Sequence, residues 1–250
     1  MTSKALKASK IRISMTGKIH LGLTLAPRAL RTIGCCFWWG LCFVLVSPGA
    51  VQVQDIRQTA RAVDEHYNHL RSLQADFTEI YRGAGTERVE AGTLWLKKPR
   101  KMRWEYRSPR EKLFISDGKA VWFYLPAERQ LRKTEARKLD DLRSPLTFLL
   151  GKTKLENELQ GLSKVMDQAP LSPGNTVLRG VPKAMTDRVS DVVLEITPSS
   201  QIARIMLTEV DGATTEFRFT NMKENLELSD NRFQFTPPPG VETVEGELGQ

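Results

Sequence analysis

Past residue 50 this 250-residue chain has no cysteine: its three, Cys35, Cys36 and Cys42, all lie in the first fifty positions. That absence excludes a disulfide framework, a thiol nucleophile and a cysteine-ligated metal from everything downstream. Histidine is nearly as scarce, with only His66 and His69 beyond the first fifty residues. An i, i+3 pair with no third ligand nearby reads as a solvated helix face rather than a zinc site. No nucleophile elbow, glycine-rich phosphate loop or serine–histidine signature is present. Asp117 and Asp211 sit in Asp-Gly contexts, which are turn chemistry. The sequence asks for no catalytic group, no metal and no cofactor.

Acid is missing from the first fifty residues, which carry seven basic side chains: Lys4, Lys7, Lys10, Arg12, Lys18, Arg28 and Arg31. Taking these seven from the 37 Lys+Arg leaves 30 against 29 Asp+Glu, so the formal charge of +8 belongs mostly to the leader and gives no reason to expect nucleic acid. The apolar run that follows, Ile33 to Val46, has fourteen residues, too few to span a bilayer comfortably. A basic region, a short apolar region and the small residues SPGA are the layout of a secretory signal peptide. We therefore expect a signal peptide over residues 1–50, cleaved near residue 49 or 50, with Met15 as an alternative initiator and an uncleaved anchor as the alternative to cleavage. Cys42 follows Leu41, and Cys35 has no apolar run before it, so neither suits lipid attachment. The expected product is an exported chain without a lipid of its own.

From Val53, apolar positions recur at steps of three and four through Val53, Ile56, Ala60, Val63, Tyr67, Leu70 and Leu73. That spacing predicts an amphipathic helix of roughly six turns. After Leu73 the period becomes two. Candidate strands are 75–82, 89–97, 102–107, 112–116, 119–125, 129–134, 162–168, 175–181, 191–196, 201–209 and 213–220, many of them separated by turn signals such as RGAG, SDGK and DGAT. The expected fold is mainly β with helices, an α+β arrangement. It is an unclosed antiparallel half-barrel of about eleven strands with one apolar and one largely wet face. The N-terminal helix and the segment Leu139–Gly151, whose Leu139, Leu142, Leu146 and Leu149 have helical spacing, are the candidates to cover the apolar face. Residues 51–242 form the expected domain, and 243–250 a polar C-terminal tail.

One stretch tests this reading. KKPRKMRWEYRSPR, Lys97 to Arg110, packs seven basic residues and two large aromatics into fourteen positions. By composition it suits nucleic acid or a membrane surface. By period it is a turn and then a strand whose Met102, Trp104 and Tyr106 face the interior, while Arg103 and Arg107 face out as a solvated surface or a docking patch.

The blocks FTEIYRG, GTLWLKKPRKMRWEY, LFISDGKAVWFYLPAERQ, SPLTFLLG and NRFQFTPPPGVE resemble, in this order and spacing, the LolA family of periplasmic outer-membrane lipoprotein carriers. The resemblance runs from about Val51 to Val241. It implies a non-enzymatic, monomeric periplasmic carrier that holds the acyl chains of lipoproteins in an apolar cavity under a helical lid. Its partners would be an inner-membrane ABC transporter of the LolCDE type and an outer-membrane acceptor of the LolB type. The cavity residues it implies here are Phe77, Leu94, Leu96, Met102, Trp104, Phe114, Trp122, Leu146, Leu149, Phe217 and Phe219. For Phe114 and Trp122 the apolar neighbours on both sides leave the facing open. The family's lid-latching arginine is replaced by Lys98, and the glutamine usual in its first strand by Glu79. Against this stand an envelope lipid- or glycolipid-binding protein or enzyme on the same fold, which would need an acid/base pair inside the cavity, and an outer-membrane barrel, which the two-sided strands disfavour.

Overall fold

The computed structural model describes residues 56–136, Leu149 and residues 154–245, all within the compact unit Val51–Gln250. The leader and most of the segment 139–151, Leu146 included, lie outside the described residues.

Among the described residues, helix α1 (Ile56–His69) is followed by twelve strands. They are β1 (Ser72–Gly83), β2 (Thr86–Lys97), β3 (Lys101–Ser108), β4 (Lys112–Asp117), β5 (Ala120–Leu125), β6 (Gln130–Glu135), β7 (Leu159–Lys164), β8 (Thr176–Pro182), β9 (Val189–Ile196), β10 (Ile202–Glu209), β11 (Thr214–Glu224) and β12 (Glu242–Glu245). All join one unclosed sheet in the order β12-β6-β5-β4-β3-β2-β1-β11-β10-β9-β8-β7. The chain meanders outward from β1 to β6, restarts at the far edge with β7, and meanders inward until β11 pairs with β1. Every pairing is antiparallel except β12 on β6.

The eleven expected strands are all present. The twelfth was not expected, because residues 243–250 read as polar tail; Glu242–Glu245 pairs through its backbone with the edge strand β6. The β7 strand begins three residues earlier than its candidate. The helix ends at His69 rather than Leu73, and Leu73 lies on β1 opposite Leu96.

Alternation sends one residue in two to the interior face. Leu96 stands between Leu73 and Met102, and Leu94 between Ala75 and Trp104. Phe77 stands beside Phe219, and Phe217 beside Ile205. Gly92, opposite Phe77 at a register shift, has no room for a side chain: a Cβ there would lie 1.9 Å from the Glu105 carbonyl oxygen. Helix α1 lays Ala60, Val63 and Tyr67 on this face, and the Tyr67 hydroxyl accepts from the Ile202 N–H at 3.0 Å.

The other face is less wet than its sequence suggests. The segment from Leu228 to Phe235 crosses the outside of β2 to β5. Phe233 and Leu228 are buried with Trp95, while Phe235 packs against Trp122 and Tyr124 at 6.2 and 5.6 Å between ring centroids. Three cations of the Lys97–Arg110 run hold this strap. Lys97 donates to the Leu228 carbonyl at 2.7 Å, Lys97 and Lys101 both bind Asp230, and Arg103 donates to the Arg232 carbonyl at 3.1 Å. These two lysines hold the Asp230 carboxyl at about 2, well below the usual carboxylate range. Farther along, Glu195 is fully buried on this face, paired with Arg204 at 2.9 Å and accepting from the Leu171 N–H and the Asn175 amide.

Candidate functional site

The interior face gathers most of the expected cavity residues. Phe77, Leu94, Leu96, Met102, Trp104, Phe217, Phe219 and Leu149 are buried in one cluster together with Ala60, Val63 and Tyr67 of α1. Phe114, opposite Trp104, is half-buried against the same cluster. Trp122 is a correction. It pairs with Ile115, which pairs with Arg103, so it stands on the outer face under Phe235. Four consecutive apolar residues, Val121 to Tyr124, give alternation no phase at that point.

Aromatic rings dominate the centre of the face. Trp104 meets Phe77 edge-on at 4.8 Å, with Phe217 and Phe219 at 6.0 and 6.4 Å. At the α1 end, Leu70, Leu73, Leu96 and Leu149 border a narrow cleft of only about 10 Å³ that also touches Lys98. Drug-sized ligands occupy roughly 300–1,000 Å³. Room for a long chain at this end therefore requires α1 to move away from the sheet.

Lys98 lies where such movement would be felt. Its ammonium donates to the backbone carbonyls of Tyr67 and, at 3.2 Å, Asn68, in the last turn of α1. Those carbonyls have no partner inside the helix and carry the negative end of its dipole, so a cation is favoured there. Arg103, five residues further on, points to the opposite face.

The opposite end of the interior face is polar. Glu79 and Glu90 are cross-strand partners on β1 and β2; Tyr106 O–H donates to Glu79 at 2.7 Å, and Lys112 donates to Glu90 while standing 4.5 Å over the Tyr106 ring. Glu90 and Lys112 were missed from the sequence, although Glu90 is in phase with Gly92, Leu94 and Leu96. Burial raises the Glu79 carboxyl above its ordinary value of 4.5, against the pull of the Tyr106 hydrogen bond. The folded state thus holds this proton more tightly than the unfolded chain does. The stability linked to it is present below pH 4.5 and is lost as pH rises through the raised value. Glu79→Gln is expected to stabilise the protein at pH 7 by on the order of 1 kcal/mol, the scale of one buried polar defect, and to have little effect at pH 4. Urea titrations at the two pH values check this; equal effects at both would refute it.

Among the described residues no group of three or more His, Cys, Asp and Glu could hold a metal ion. His66 bonds Glu224 at 2.9 Å, and His69 bonds the Glu65 carbonyl within α1.

Residues 68–236 match the family model described as outer membrane lipoprotein carrier protein LolA, well over half of the chain. The chain belongs to the LolA family. Two relatives bear the name outer-membrane lipoprotein carrier protein. The one from Methylococcus capsulatus is 30% identical, the match covering 70% of this chain and 82% of that one. The one from Chromobacterium violaceum is 29% identical, over 71% and 82% respectively. Among solved structures, an uncharacterized conserved protein from Thermus thermophilus superposes with a TM-score of 0.50 at 14% identity, covering 77% of this chain and 100% of that one. That likeness concerns the fold alone. As a LolA-family protein the chain is a carrier rather than an enzyme. The unclosed twelve-strand sheet is its scaffold.

Proposed function

We propose that this protein is a periplasmic chaperone that takes up the acyl chains of lipoproteins between its apolar sheet face and α1 and carries them toward the outer membrane. The observation that carries the reading is the interior face itself: a continuous aromatic and aliphatic surface, roofed by a helix whose end is held by Lys98, in a LolA-family chain. Residues 1–50 serve as the cleaved export signal, and the carrier works as a monomer. It receives cargo from a LolCDE-type transporter and delivers it to a LolB-type acceptor. Helix α1 and Leu149 cover the face, and Lys98 latches the helix.

The need for such a carrier follows from transfer energies. Each buried methylene contributes roughly 0.8 kcal/mol, so a sixteen-carbon chain costs on the order of 10 kcal/mol to expose to water. A multiply acylated protein does not cross an aqueous compartment unshielded. A cavity that must be opened to be filled also lets go, because the work of opening is subtracted from the affinity.

The test is release. Purified protein added to inner-membrane vesicles that carry the transporter and newly made lipoprotein is expected to bring the lipoprotein into the soluble fraction as a complex of one carrier per cargo. Lipoprotein that stays with the vesicles at saturating carrier would reject the proposal.

A further inference from the structure

The Trp104 indole N–H is buried at the centre of the interior face, and among the described residues it has no hydrogen-bond partner. Buried donors normally find acceptors, and an unpaired one is costly. The rings around it, Phe77, Phe217 and Phe219, offer at best π faces, which accept far more weakly than a carbonyl oxygen. Phenylalanine or leucine would fill an apolar surface without that cost. The donor is therefore well placed for a partner that arrives from outside the chain.

Its position says what kind. On the interior face of β3, Met102 lies on the apolar side, among Leu96 and the residues under α1. Tyr106, one pleat repeat or about 6.8 Å further on, lies with Glu79, Glu90 and Lys112. Trp104 is thus the last apolar contact before the polar end. In an acylated molecule the corresponding boundary is the carbonyl of the ester or amide that joins chain to headgroup.

We propose that Trp104 donates its indole hydrogen to an ester or amide carbonyl of the bound acyl group, fixing how deep the chain sits, with the tail toward Met102 and the linkage toward Tyr106. This rests on the carrier reading, and it adds recognition of the linkage to burial of the tail. A carrier so equipped distinguishes acylated molecules from plain hydrocarbon of equal length.

Three probes of equal chain length test it: a monoacylglycerol with an ester, the matching N-acyl amide, and the alkyl glycerol ether, which lacks the carbonyl. Wild-type protein is expected to bind ester and amide about tenfold more tightly than ether, the scale of one buried hydrogen bond. Trp104→Phe is expected to bring all three to similar affinity. In ¹⁵N-labelled wild-type protein, one indole resonance, absent from the variant, is expected to move downfield with ester and amide but not with ether. The wild-type ratio and that shift decide the matter even if the variant folds poorly. Equal wild-type affinity for ester and ether, or an equal loss for every probe in Trp104→Phe, would overturn the proposal and leave Trp104 as packing. Failure of the wild-type protein to bind any probe would remove the carrier reading, and this inference with it.

Discussion

Phe233→Ala is expected to destabilise the protein by about 3–5 kcal/mol, the range for truncating a fully buried phenylalanine, and to lower Tm by about 10 °C. Phe233 is wholly buried on the outer face of the sheet, between Trp95 and Leu228. Alanine there leaves a cavity that Trp95 cannot fill, because Trp95 stands on a central strand paired on both sides. The loss has a second part. Arg232 lies over the Trp95 ring at 4.7 Å, and its carbonyl accepts from Arg103, so loosening Phe233 loosens polar contacts that depend on the same register. Leu228, at the edge of the same cluster, is expected to cost less when truncated. Thermal melts followed by circular dichroism measure both; a loss below about 1 kcal/mol for Phe233→Ala would mean that the strap lies loosely on the sheet.

The strap explains where sequence reading succeeded and where it stopped. Strand β3 was legible because Met102, Trp104 and Tyr106 alternate strictly with Arg103, Glu105 and Arg107, which gives the pleat an unambiguous phase. In β5 the apolar run from Val121 to Tyr124 meets apolar partners on both faces, Phe114 opposite Phe123 on the inside and Phe235 on the outside, so no phase survives. The outer partner is distant in sequence, and no local pattern announces it. The helix end was misplaced for a related reason: Leu70 and Leu73 continue the three-and-four spacing of α1, yet Leu73, Ala75 and Phe77 also begin the two-residue spacing of β1. Both periods fit those positions, and tertiary pairing with Leu96 decides. Strand β12 carries no apolar signal because it is held by backbone bonds to an edge rather than by burial. At the site, the apolar residues were readable from alternation, whereas Glu90 and Lys112 were not, since charges on an interior face run against the pattern that identifies the face.

The strap also bears on the latch. Lys97 and Lys98 are neighbours at the end of β2, and they reach opposite ways, Lys97 to the strap and Lys98 to α1. The strand end is therefore held from outside while its next residue holds the helix from inside. Lys98→Ala is expected to remove about 2 kcal/mol from the closed arrangement, a figure discounted from two charge-assisted hydrogen bonds for their partial exposure to water. Binding that requires opening should then tighten by roughly thirtyfold, because less work is subtracted from the intrinsic affinity. Tighter holding should impair delivery, so the variant is expected to load lipoprotein from vesicles normally and to transfer little of it to an acceptor. Titration with a fluorescent fatty acid reads the first effect, and a two-vesicle transfer assay the second. Lys98→Arg should move the other way: a planar guanidinium holds its donors in a pre-organised fork and loses less freedom per hydrogen bond, so the closed state gains and the probe binds a few-fold more weakly. Lower thermal stability in Lys98→Ala without tighter probe binding would mean that Lys98 only caps the helix. Opposite shifts in the alanine and arginine variants would mean that the contact sets the balance between holding and release.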